Sequence, residues 1–166
     1  MSRSLFPTGT LAPLALLALC LGALGACASP VPTVEILEAS PSMLAASDDG
    51  NDDLTIAVRY TDGDGDLGRG SAKVFDCRAE GLVTELAIPR IANDEAVEKG
   101  VPIEGQLELV VADIGAVEAA AEAPPTCADL GASAPQEGAQ VFCVVLVDAA
   151  DNESEGACTG PIHVEP

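Results

Sequence analysis

Leu54-Thr55-Ile56-Ala57-Val58-Arg59-Tyr60-Thr61-Asp62-Gly63-Asp64-Gly65-Asp66-Leu67-Gly68 is the stretch on which the fold turns. Leu54, Ile56, Val58 and Tyr60 alternate with Thr55, Ala57, Arg59 and Thr61, the period-two pattern of a strand with one buried and one wet face. The strand opens into three aspartates spaced by glycines. Such a loop is either a tight solvated turn or a site for a hard cation with oxygen ligands.

Strand signals recur on both sides. Upstream, Val34, Ile36 and Leu37 suggest a first strand, followed by the turn signal Ser40-Pro41-Ser42 and a loop from Ser47 to Asp53, where Gly, Asn and Asp tolerate left-handed backbone. Downstream, Ala72 to Ala79 reads as a strand containing Phe75 and Cys77, and Leu82 to Ile88 as another, stopped at Pro89. Asn93 to Gly100 is charged and unpatterned, hence a connection. Ile103 to Ile114 alternates cleanly, with Leu107, Leu109 and Val111 on one face. Residues 115–122 have high helix propensity and predict a short helical turn that stops at Pro124-Pro125, inside a crossing loop that ends near Gly138. Gln140 to Val147 is apolar on both faces, as a central strand should be. A hairpin over Asp148 to Ser154 leads to a last strand in which Ile162 and Val164 alternate with His163 and Glu165. About seven short strands separated by turn signals predict an all-β fold, an antiparallel two-sheet sandwich.

The chain has 166 residues, with 27 acidic side chains against seven basic and a net charge of −20. Such a field repels phosphate backbones and excludes nucleic acid as a partner. Residues 1–26 read as an export signal. Arg3 precedes an uncharged run from Leu11 to Leu24, which at roughly 14 residues is shorter than the about 20 a spanning helix needs. The run ends in Leu24-Gly25-Ala26-Cys27, which resembles the lipobox of bacterial lipoproteins. That resemblance implies a signal peptide over 1–26, lipid attachment (palmitate among the acyl chains) at Cys27, a tether over 27–32 and one domain over 33–166. Several acyl chains hold such a protein to a membrane where one binds marginally. With Ala28 and Ser29 following Cys27, the resemblance implies the outer membrane.

Val145-Leu146-Val147-Asp148-Ala149-Ala150-Asp151-Asn152-Glu153-Ser154 resembles the penultimate strand and hairpin of bacterial immunoglobulin-like and fibronectin type III-like domains. The segment Thr61 to Gly68 is similar to a loop of envelope lipoproteins that carry such domains. Asp151 stands where those domains prefer glycine, and aspartate tolerates the positive φ required there. The buried tryptophan usual in their third strand is absent, since the chain has none.

Cys77, Cys127, Cys143 and Cys158 follow the signal, an even number in an exported chain, and predict two disulfides. Metal ligation by cysteine is not supported, with no Cys-x-x-Cys pair and His163 as the single histidine. In a sandwich of the resembled kind, the third and seventh strands flank the sixth. Cys77 with Cys158 then lies beyond disulfide reach. Cys77–Cys143 with Cys127–Cys158 is the first expectation, and Cys143–Cys158 with Cys77–Cys127 the second.

Asp62, Asp64 and Asp66 have the one-three-five spacing that opens a helix-loop-helix calcium hand, but Leu67 and Lys73 stand where that motif needs Gly and Glu. The hand is therefore rejected. The resembled sandwich implies a different arrangement, because its loops after the second and sixth strands emerge at one end. Asp148, Asp151 and Asn152 would then meet Asp62, Asp64 and Asp66 and supply enough oxygens for calcium. The competing reading leaves these residues as solvated turns. No nucleophile elbow, phosphate loop or His-Glu-x-x-His occurs, so no enzyme is expected. The expectation is a lipid-anchored envelope protein whose sandwich is a structural or binding module, calcium-stabilised on the first reading of the aspartates, with an envelope protein or a glycan as partner. An accessory subunit of an envelope transport or secretion complex is the alternative, and a secreted carboxylate hydrolase the third option.

Overall fold

The computed structural model describes residues 30–47, 50–91, 94–115, 124–132 and 139–165. Among these the chain forms ten strands: β1 (Thr33–Ser40), β2 (Met43–Ser47), β3 (Gly50–Asp62), β4 (Ser71–Asp76), β5 (Val83–Ala87), β6 (Ile103–Ile114), β7 (Ala139–Gln140), β8 (Phe142–Val147), β9 (Ala157–Cys158) and β10 (Ile162–Glu165). Two short helices, α1 (Asp94–Glu98) and α2 (Pro125–Asp129), lie in connections. The predicted lipid site Cys27 and the signal segment lie outside the described residues, as do residues 116–122 of the predicted helical turn.

Two sheets form, and the all-β sandwich read from the alternation is the observed architecture. In the larger sheet β3 is central, with β1 on one side and β6 on the other, and β2, β10 and β7 continue from its first residues. The smaller sheet runs β5-β4-β8-β9. Pairing is antiparallel except between β2 and β10. The last strand of the sequence reading is two pieces: β9 stays beside β8, and β10 crosses to the larger sheet.

One aliphatic core fills the space between the sheets. Leu54, Ile56, Val58 and Tyr60 of β3 and Leu107, Leu109 and Val111 of β6 face Ala72 and Val74 of β4 and Phe142, Val144 and Leu146 of β8. Burying each large side chain of this kind contributes about 1.5–3 kcal/mol, and the alternation supplies them in files from opposed sheets.

A second, smaller cluster lies on the outer face of β4 and β8. Cys77, Cys127, Val141 and Cys143 are buried there, with Phe75, Leu130 and Cys158 against them. The disulfides are Cys77–Cys127 and Cys143–Cys158, which corrects the first expectation. Register decides the matter. Cys143 stands directly opposite Cys158 across β8 and β9, whereas Phe75, two residues before Cys77, takes the place opposite Cys143 on β4. Cys77 is left to α2, which begins with Pro125 in the first turn, where a missing N–H costs nothing. This helix lies in the stretch after the proline pair that the sequence reads as crossing loop.

Two acidic connections are also more ordered than expected. Residues 94–98 form α1 within the segment read as a plain connection. Most of the Ser47–Asp53 loop is strand, as Ala46 pairs with Asn51 and Ser47 with Gly50 in a β2–β3 hairpin. Asp52 and Asp53 carry acceptors that the edges use: Asp52 Oδ2 accepts the Ala45 N–H at 2.8 Å, and Asp53 Oδ1 accepts the Asp113 N–H at 3.0 Å. The β3–β6 register shifts between Asp52 and Leu54. Asp113, at φ 55°, sits at that irregularity, so the Asp53 carboxylate satisfies an amide at the break in the ladder.

Candidate metal centre

Side chains on a strand alternate faces, so a residue two beyond the last core residue points inward again. On β3 the buried file Leu54, Ile56, Val58, Tyr60 ends in Asp62; on β8 the file Phe142, Val144, Leu146 leads to Asp148, just past the strand end. Both files finish at the same pole. Asp62 is 1% exposed and Asp148 is 2% exposed, each a carboxylate at the end of an apolar row.

The chain between β3 and β4 folds back over this pole. Asp62 Oδ2 accepts the Leu67 N–H at 2.9 Å, and Leu67 drops into the core at the start of a 3-10 turn, Leu67–Arg69. Gly65 takes φ 78°, and a Cβ there would run into the Val101 carbonyl. Asp62, Asp64, Asp66 and Asp148 thereby converge, one carboxylate oxygen from each lying within 4.8 Å of all the others. With Ca–O distances of about 2.3–2.6 Å, a calcium coordination sphere is roughly 4.6–5.2 Å across, so the four oxygens fit on one ion.

Hydrogen bonding separates the four. Asp148 is held by its own hairpin: Oδ1 accepts the N–H groups of Ala150 and Asn152 at 2.9 and 2.8 Å, and Oδ2 accepts the Asn152 side-chain amide at 2.8 Å. By contrast, Oδ1 of Asp62, Asp64 and Asp66 are each buried with no hydrogen-bond partner. A buried acceptor without a donor costs about 1–3 kcal/mol, and more when charged. Burial pushes the Asp62 carboxyl above the ordinary carboxylate range, and the Asp64 charge adds to it. Asp66 is pushed up to about 6, first by burial and then by the charges of Asp148, Asp64 and Asp62. Carboxylates that repel one another and lack donors can protonate or take a cation.

Four of the six ligands expected from the sequence, Asp62, Asp64, Asp66 and Asp148, are brought together. Asp151 is not among the converging carboxylates, and Asn152 adjoins them through Asp148. Asp151 is exposed on the hairpin at φ 63°, the left-handed conformation expected of it, and its charge bears on Lys73. Asn152 donates its Nδ2 to Asp148 and so holds that carboxylate in place. Part of this hairpin was open to sequence reasoning, because an aspartate that accepts the N–H two residues on makes an Asx turn, as Asp148 does with Ala150. A second convergence, Cys77, Cys127 and Cys143, is committed to the two disulfides.

Arg78 is the buried charge that sequence reasoning missed. It is 3% exposed and lies beyond the end of β4, at the opposite pole from Asp62. Its Nε donates to both oxygens of Asp76 at 2.9 and 3.0 Å, and its Nη1 donates to the Gly115 carbonyl at 2.7 Å. Among the described residues no helix is long and apolar enough to cross a membrane. No protein-family model, curated protein or solved structure matches this chain.

Proposed function

We propose that this chain is a lipid-anchored protein of a bacterial cell envelope whose β-sandwich is a binding module braced by one calcium ion. The observation that carries the calcium is the set of three buried, donorless oxygens on Asp62, Asp64 and Asp66 beside the fixed carboxylate of Asp148. Asp62 ends a strand of the larger sheet and Asp148 follows a strand of the smaller one, so an ion between them ties the two sheets together at one pole. Support for the anchor is the Leu24-Gly25-Ala26-Cys27 segment. The partner is an envelope protein or a glycan, met by loops rather than by a catalytic cleft.

The test uses the full chain extracted in mild detergent. Extracellular modules hold calcium with Kd of about 10⁻⁴–10⁻³ M, so roughly 10 mM calcium should add about 1.4–2.7 kcal/mol. For a domain of this size that is a rise in Tm of about 5–10 °C over the chelated protein. Asp64→Ala should abolish the rise, and an unchanged Tm in the unsubstituted chain rejects calcium. Cys27→Ala should move the protein from the membrane to the soluble fraction; a protein already soluble rejects the anchor. Stable co-purification with a second chain would favour the transport-subunit alternative.

A further inference from the structure

We infer that the aspartate pole is a dehydrating site selective for calcium over magnesium, the ion being held by protein oxygens with little retained water. The inference rests on the calcium reading above and specifies the ion and its hydration.

Enclosure is the first support. The free oxygens of Asp62, Asp64 and Asp66 are sealed from solvent even though Asp64 and Asp66 are only half-buried as residues. Protein backbone and core fill the surroundings. Gly65 backs onto the Val101 carbonyl with no room for a side chain, Gly100 borders the Asp64 Cβ, and wholly buried Leu67 closes the loop toward the core. An ion that reaches these oxygens must leave most of its hydration shell outside.

Ligand number is the second. Calcium accepts 6–8 oxygens in flexible geometry, including bidentate carboxylates, and sheds water readily. Magnesium demands near-ideal octahedral geometry, keeps several waters and is bound by about one or two carboxylates. Here four carboxylates converge, and one of them, Asp62, is 1% exposed with an unpartnered oxygen aimed into the cluster. The site offers too many charged ligands and too little room for a hydrated magnesium ion.

Terbium(III), which shares the oxygen preference and flexible coordination of calcium, reads both properties on the full chain in mild detergent after chelation. Tyr60 is the single tyrosine, there is no tryptophan, and Tyr60 lies two residues before Asp62 on the same face, so terbium emission excited through Tyr60 reports this pole. Emission lifetimes in water and heavy water count the waters on the ion. The expected count is at most about two in a shell of about 6–8 ligands or more, with calcium displacing terbium at a concentration at least about tenfold below magnesium. Asp62→Asn, which keeps an acceptor for the Leu67 N–H, should lose the signal while retaining the β circular dichroism spectrum. Four or more bound waters, or displacement by magnesium as readily as by calcium, overturns the inference while leaving the calcium-dependent Tm rise intact. No terbium uptake together with no calcium-dependent Tm rise removes the calcium reading and this inference with it.

Discussion

The two poles of the sandwich carry the same residue type under opposite conditions. At the pole where β3 begins, Asp52 and Asp53 accept backbone N–H groups, and Asp76 is matched by the guanidinium of Arg78. At the pole where β3 ends, the nearby carboxylates are one another's, and three oxygens have no donor at all. Acidic content alone therefore says little about function. What distinguishes the poles is that Asp52, Asp53 and Asp76 find donors in the protein, whereas Oδ1 of Asp62, Asp64 and Asp66 find none among the described residues.

The contrast breaks most visibly at Arg78. Removing one partner of a buried ion pair leaves an uncompensated charge and costs about 3–5 kcal/mol. Arg78→Ala should lose that much in urea unfolding, by the same amount with chelator and with calcium, because its pole needs no ion. A loss that calcium restores would mean the poles are coupled and the contrast is false. Next in size is Asp62→Asn, whose effect should change sign. In chelator it removes a buried, repelled charge while keeping an acceptor for the Leu67 N–H, and should be neutral or stabilising. In saturating calcium it removes a ligand and should forfeit about 2–3 kcal/mol, the stabilisation an ion at about 100 times its Kd provides. Destabilisation of equal size in both conditions would make Asp62 an ordinary turn residue.

Much of this was legible in the sequence, and what was not has identifiable causes. The period-two files of β3 and β6, each with one buried face, and the run of β8, apolar and buried on both faces, gave the sheets because register and burial agree. The same files, continued by two residues, put Asp62 and Asp148 inside, and that parity is a stronger signal for the cluster than the spacing of a calcium hand. Disulfide pairing was harder to read, since strand adjacency places Cys143 near both Cys77 and Cys158, and only the register shows which sulfur stands opposite. The Asp48–Asp53 run read as loop because its composition suits turns. Asp52 and Asp53 instead lie in a strand, their side chains serving neighbouring amides. Arg78 escaped notice because a lone arginine after a strand carries no pattern; its partners, Asp76 and the Gly115 carbonyl, are set by tertiary position.

The smallest effect concerns protons, the other cation that can neutralise the Asp62 pole. Burial, and then the Asp148, Asp64 and Asp62 charges, push the Asp66 carboxyl up from 3.8 to about 6. Between these two values Asp66 binds more protons in the folded than in the unfolded state, so its contribution to stability falls as pH rises. The group favours folding fully below about pH 4, and that advantage is lost by the time pH passes about 6. Two pKa units correspond to about 2.7 kcal/mol, and partial exposure of Asp66 brings the expected decline to about 1–2 kcal/mol. Urea midpoints taken from pH 4 to 7 in chelator should show the decline, and Asp66→Asn should reduce it, leaving the part that belongs to Asp62, whose carboxyl burial also raises. Calcium should offset it at pH 7 and have little effect at pH 4, where protons compete for the same oxygens. A slope that Asp66→Asn leaves undiminished, or calcium stabilisation that is equal at pH 4 and pH 7, would show that the unpartnered carboxylates are not where the protein is short of positive charge.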